Sequence, residues 1–282
     1  MVYAIRTIKC RNGVVEKTKF PVHNIADRSE ARTRKGKREI NRAAKNTGDA
    51  RRNFARVLNN NFLPGDLFLT LDLTDAGLAK VDKRAEKLRV ERAKAGLPEL
   101  PFKDLRLLAL KQEDANFFRR VRRKLSTLGV PYFFTTAPSD MNGPEDYEHS
   151  ARPHIHVVVN KAILGVVEEK WKAMGSVKWV PLSAWASKNG APDWTALAAY
   201  IIGQTRVVDG CKRYTVSRTI QIPRPDPKDD RIAIRPEALL RAPKGAVLLE
   251  QGPYFPGRAQ YIRYIYPAWV DRGEEDADGL PT

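Results

Sequence analysis

Cysteine is nearly absent: Cys10 and Cys211 are the two in 282 residues, far apart and outside any paired motif. Their spacing excludes a disulfide framework and a Cys₂His₂ zinc pattern, and fits a reducing compartment such as the cytoplasm. Histidine is as scarce, with four. No apolar run reaches the roughly 18 residues that a membrane span needs, and no secretory signal opens the chain. Neither an internal repeat nor a glycine-rich phosphate loop is visible. A membrane partner, a disulfide-stapled domain and a P-loop enzyme are therefore not expected.

What the chain has in excess is positive charge. Fifty Lys and Arg oppose 33 Asp and Glu, giving a formal net charge of +17 and a sequence pI of about 9.9. Such an imbalance calls for a polyanionic partner, with nucleic acid foremost. The length is ample for a real hydrophobic core.

Two of the four histidines sit together in Arg152-Pro153-His154-Ile155-His156-Val157-Val158-Val159-Asn160. The apolar run between Pro153 and Asn160 reads as a buried strand. Strand side chains alternate, so His154, His156 and Val158 share one face and Ile155, Val157 and Val159 the other. Paired imidazoles on a rigid strand can hold one divalent ion. The plainer alternative is a pair of hydrogen-bonded histidines lining a sheet edge.

The rest of the chain gives this strand its context. Residues 1–58 read as a basic N-terminal arm, in which the apolar run Val2-Tyr3-Ala4-Ile5 adds an edge strand or a loose arm. Eleven Lys and Arg stand between Arg28 and Arg56 against Glu30, Glu39 and Asp49, and Ala43, Ala44, Ala50, Phe54, Val57 and Leu58 supply a weak helical stripe near the end of that stretch. That segment is either a solvated helix face or a phosphate-contacting one. After the Pro64-Gly65-Asp66 turn, Leu67–Leu73 alternates as a strand, with Thr70 and Asp72 on the face away from the leucines. Asp72 is a candidate metal ligand, or else a solvated strand-end carboxylate. An exposed helix over 76–96 and a second over 103–128 follow. The second buries Phe117, Phe118, Val121 and Leu125 and turns Arg119, Arg120, Arg122 and Arg123 outward. Strand 132–136, an acidic loop, the histidine strand, a helix over 161–175 and a short strand at 177–180 come next. A helix over 194–202, capped by Asp193 or Thr195, carries Tyr200 beside Ala196 and Gln204. A basic strand over 211–220 ends the domain expected at 59–222. The remainder, 223–282, reads as a proline-rich and aromatic irregular extension with an acidic, disordered tail from Asp271. The fold class expected is α+β with a central antiparallel sheet.

The order of these elements resembles the HUH endonuclease superfamily, and within it the rolling-circle replication initiators of phages, plasmids and integrative elements. Asn61 to Leu71 looks like the first motif of that group, Arg152-Pro153-His154-Ile155-His156 like its metal motif, and Ala199-Tyr200-Ile201-Ile202 like its nucleophile motif. Arg213-Tyr214-Thr215-Val216-Ser217-Arg218 resembles the basic strand that follows. The resemblance spans about residues 28–222. It implies a ferredoxin- or RRM-like core with helices on one sheet face and the histidine face open to DNA. It further implies a Mg²⁺ or Mn²⁺ ion on His154 and His156, with Asp72 as a further ligand, and Tyr200 as nucleophile. Arg119, Arg120, Arg122, Arg123, Lys212, Arg213 and Arg218 would contact nucleic acid. The substrate implied is single-stranded DNA at a replication origin, nicked to a 5′-phosphotyrosine and a free 3′-OH. Host helicase and polymerase follow as partners, in the cytoplasm of a bacterial cell.

Two positions depart from the family pattern. A glutamate commonly ends the strand before the histidines, where this chain reads Thr136-Ala137-Pro138. A lysine commonly follows the tyrosine by three residues, where this chain has Gly203. Asp72, Asp140, Glu148 and His149 are the candidate replacement ligands; Arg206, Lys212 and Arg213 are the candidate cations. The competing function is a non-catalytic single-strand-binding module on the same fold.

Overall fold

The computed structural model describes residues 2–22, 42–141, 152–187, 190–225, 233–234, 238–255 and 259–266. The chain is α+β and contains two antiparallel sheets of five strands each. It divides into two compact units, residues 49–220 and residues 1–48 with 221–282. The basic segment 28–41, Glu148, His149 and the acidic tail lie outside the described residues.

The larger unit is built on the alternating leucines of β3 (Leu67–Leu73), all four of which are buried. Its sheet has the order β6-β3-β5-β4-β7, with β4 at Phe134–Ser139, β5 at His154–Val159, β6 at Gly175–Pro181 and β7 at Thr215–Val216. Leu67, Leu69 and Leu71 share a face with Ile155, Val157 and Val159. Three helices cover that face: α2 (Asp75–Lys94), α3 (Phe102–Leu128) and α4 (Leu164–Trp171). Each apolar side chain fully buried there contributes about 1.5–3 kcal/mol. Phe117, Phe118, Val121 and Leu125 of α3 face inward, as their spacing predicts. Gly129, at φ 64°, adopts the left-handed geometry that ends the helix.

Close packing at the edge of this sheet depends on one glycine. A Cβ on Gly175 would sit 1.7 Å from the Asp72 carbonyl oxygen. No other residue lets β6 approach β3 there.

The second face is not open along its whole length, contrary to expectation. It carries α1 (Arg42–Asn61) and α5 (Thr195–Gly203). Phe54, Leu58 and Phe62 of the first and Leu197, Ala198, Ile201 and Ile202 of the second close over Phe68, Ala137 and Val158. The apolar stripe of residues 54–62 is strong enough to demand burial, so α1 caps the sheet instead of extending as an arm. Asp193 fixes the start of α5: its carboxylate accepts from the Thr195 backbone N–H at 3.2 Å and the Thr195 hydroxyl at 2.7 Å. Trp194 is buried alongside, donating its indole N–H to the Phe62 carbonyl at 3.1 Å.

Strand β4 lies two residues later than expected. Pro138 belongs to it, because β7 pairs with Thr135 and Thr136 alone and leaves the proline no neighbour that needs its missing N–H. The basic strand expected over 211–220 is confined to β7, Thr215–Val216.

The smaller unit replaces the expected arm and irregular extension with a sheet of order β8-β1-β2-β10-β9. Here β1 is Val2–Lys9, β2 Val14–Val22, β8 Ala233–Ile234, β9 Val247–Phe255 and β10 Ala259–Ile265. An Asn12-Gly13 turn closes the first hairpin, with Gly13 at φ 92° and the Asn12 side chain accepting from the Val14 N–H. Val15, Leu240, Ile262 and Tyr264 form its core.

Candidate metal and nucleophile site

Strand β5 presents His154 and His156 on one face, and its neighbours set what lies beside them. Thr70 and Asp72 of β3 pair with His156 and His154; Ala137 and Ser139 of β4 pair with them on the other side. Where the family pattern puts a carboxylate, His156 therefore meets a buried methyl group and His154 a buried hydroxyl. The Ser139 hydroxyl donates to the Gln204 carbonyl.

The imidazoles face each other edge-on, Nε2 to Nε2 at 3.1 Å. His154 Nδ1–H donates to the Arg152 carbonyl at 2.9 Å, which leaves its Nε2 lone pair directed into the site. His156 is buried, and its Nε2 lies 2.5 Å from Gln204 Oε1. Burial, then the neighbouring His154, push the His156 pKa down to about 4 against the opposing pull of Gln204 and Asp72. It is thus neutral near pH 7, the form that binds a metal. Its Nδ1 is buried without a hydrogen-bond partner.

Tyr200 reaches the same place from α5. Its ring centroid is 5.5 Å from that of His156, and it rests on Trp185 at 5.1 Å and Phe68 at 6.1 Å. The residue is 39% exposed, so a large substrate can approach the phenol. The competing tyrosines are poorly placed. Tyr214 packs on Phe54 with its pKa raised by burial, while Tyr261 and Tyr264 are buried in the smaller unit. Nothing is described for the Tyr254 side chain.

Gln204 is the residue that sequence reasoning missed. Its helical spacing from Tyr200, one turn on, was the available signal. No group of three His, Cys, Asp or Glu side chains converges among the described residues. The donor set fits a divalent ion all the same: two imidazole nitrogens and one amide oxygen, with His156 Nε2 within hydrogen-bond distance of both others.

The other expected ligands and cations are occupied elsewhere. Asp72 forms an ion pair with Lys178 at 2.7 Å. Asp140 is held by Arg206, whose guanidinium also pairs with Asp104, so Arg206 is no free cation. Arg213 donates to the Thr205 carbonyl, Lys212 is exposed, and Arg218 lies exposed beyond β7. At Gly203 the missing lysine has a neighbour in its stead: a Cβ there would lie 3.8 Å from the Arg51 guanidinium, brought by α1. Arg119, Arg120 and Arg123 are exposed and Arg122 half-buried on α3. That helix covers the face opposite the histidines, so the structure does not bring these arginines to the site. No helix among the described residues is long and apolar enough to cross a membrane.

No family model, curated protein or solved structure matches the chain.

Proposed function

We propose that this chain is an HUH-type endonuclease acting as a rolling-circle replication initiator, which nicks single-stranded origin DNA by tyrosine transesterification. The observation that carries the reading is the approach of the exposed Tyr200 to a buried, neutral His156 that lies between His154 and Gln204. A histidine pair serving only as packing on the central strand of the sheet has no need of a partly exposed tyrosine beside it. The net charge of +17 suits a polyanionic substrate.

The chemistry follows from the parts. A phenol with pKa of about 10 is a weak nucleophile at neutral pH, and a phosphodiester anion resists attack. His154, His156 and Gln204 would hold a divalent ion, Mg²⁺ or Mn²⁺, which when bound would polarise a phosphoryl oxygen and offset its growing charge. Trp185 and Phe68 restrict the Tyr200 ring, and Arg51 supplies positive charge beside Gly203. Tyr200 Oη bonds to phosphorus as the P–O3′ bond breaks; its proton passes to water, and the 3′ oxygen takes one up. The products are a 5′-phosphotyrosine and a 3′-OH that a host polymerase extends behind a host helicase, in a bacterial cytoplasm. The covalent bond keeps the energy for later rejoining.

A labelled single-stranded oligonucleotide library incubated with the full chain and Mn²⁺ tests this. Metal-dependent cleavage that disappears in Tyr200→Phe is expected. Tight binding with no cleavage in any metal would instead make the chain a single-strand-binding module.

A further inference from the structure

Two rows of side chains cross the sheet beside the site. One runs Lys178, Thr70, His156, Ala137; the other runs Ser176, Asp72, His154, Ser139. Among these eight, Asp72 is the one carboxylate and Lys178 the one permanent cation. The lysine stands in the His156 row but reaches diagonally into the other, where its ammonium lies 2.7 Å from Asp72 Oδ2. The Lys178 side chain is 76% exposed and Asp72 30% exposed. Exposed pairs of this kind hold weakly and exchange readily.

The charges give this pair a consequence. Imidazole nitrogens and an amide oxygen lend a divalent ion no negative charge, whereas Asp72, opposite His154, can. While Lys178 holds Asp72, that carboxylate is neutralised. A phosphodiester entering beside His156 is a competing anion for the same ammonium.

Resting on the function proposed above, we infer that Lys178 is a DNA-gated latch on Asp72 and a phosphate-binding residue of the site. Without DNA it occupies the carboxylate. A bound strand draws it onto a phosphate, and Asp72 is released toward the ion on His154 and His156. Metal and single-stranded DNA then bind with positive coupling, and the coupling is reciprocal. Metal held weakly without substrate also limits unproductive chemistry.

The test is Mn²⁺ titration of the full-length chain, followed by Mn²⁺ paramagnetic resonance, with and without a single-stranded oligonucleotide. Tyr200→Phe is used as the background, so that no cleavage intervenes. The oligonucleotide is expected to tighten Mn²⁺ by about tenfold, a typical coupling. In Lys178→Met, Mn²⁺ should bind nearly as tightly without DNA as the parent does with it, and the coupling should vanish. Asp72→Asn should bind weakly in both states, while Lys178→Arg should restore the coupling. Because Lys178 is exposed, its replacement leaves the fold intact, and a thermal melt verifies this. Tight, DNA-independent Mn²⁺ binding in the parent, or a Lys178→Met variant whose coupling is unchanged, overturns the latch alone. Absence of Mn²⁺ binding in every form, DNA present, overturns the underlying metal reading and the latch with it.

Discussion

Tyr200, His154 and His156 are chemistry-bearing residues whose positions follow from short-range rules. The two histidines share a face because strands alternate, and the structure keeps them 3.1 Å apart. Gln204 stands beside Tyr200 by helical spacing, but an amide carries no charge signature that marks it as a ligand. Arg206 was misread for the opposite reason. It looked like a free cation, but its partners Asp104 and Asp140 lie far away in sequence, and only the fold joins them. The residue-scale prediction concerns Gln204. Replacing it with Ala should weaken Mn²⁺ binding by about tenfold or more, in the range found when a group that supports a metal is lost. Gln204→Glu, which adds an anionic donor, should strengthen it. Isothermal titration of both variants checks this, and equal affinities in the two would remove Gln204 from the site.

At the scale of elements, β3, α3 and β5 were legible because each has a strong period and clear ends; α2 was read from its charged composition as an exposed helix, whereas Val81, Ala85 and Leu88 bury one of its faces against the sheet. Strand β4 was placed early, over 132–136; it runs on through Pro138, whose register beside a short β7 makes the proline harmless. Helix α1 was read chiefly by its charge and its apolar stripe taken as weak, although Phe54, Leu58 and Phe62 decide where it goes. One packing feature has a measurable signature. Asp114 of α3 is buried under β4, accepting from the Thr136 hydroxyl at 2.7 Å, with its other oxygen unpartnered. Burial raises its pKa to about 7, against the partial relief of that hydrogen bond. A carboxyl with a raised folded-state pKa keeps its proton where the unfolded chain has lost it. Its contribution is therefore most favourable below about pH 4 and is lost as pH rises from there to about 7. Asp114→Asn should remove that loss, so its melting temperature should gain on the parent's between pH 5 and pH 8. Parallel melting curves across this range would show that Asp114 is not buried as a carboxylic acid.

For the molecule as a whole, the charge of +17 suits a polyanionic partner but says nothing of its path. The arginine face of α3 and the histidine face of the sheet are separated by the sheet itself. A strand held at Tyr200 would therefore meet Arg51 and Lys178 as cations of its own layer. The smaller unit escaped sequence reading because β2 pairs with β10, from the far end of the chain. The apolar run Val2–Ile5, read as an edge strand or a loose arm, falls in β1, but neither it nor the Asn12-Gly13 turn names the strands that complete the sheet. The larger unit was legible as a set of ordered motifs; what covers its histidine face was not, because apolar stripes do not name their partners.

The central claim is that Tyr200 forms the bond to DNA, and mass spectrometry of the trapped adduct tests it most directly. The full chain is incubated with Mn²⁺ and a cleavable single-stranded oligonucleotide, denatured, digested with nuclease and protease, and searched for a nucleotide-modified peptide. The account predicts modification on the peptide containing Ala199-Tyr200-Ile201, and none in Tyr200→Phe. An adduct on Tyr214 or another residue, or one that persists in Tyr200→Phe, would contradict it.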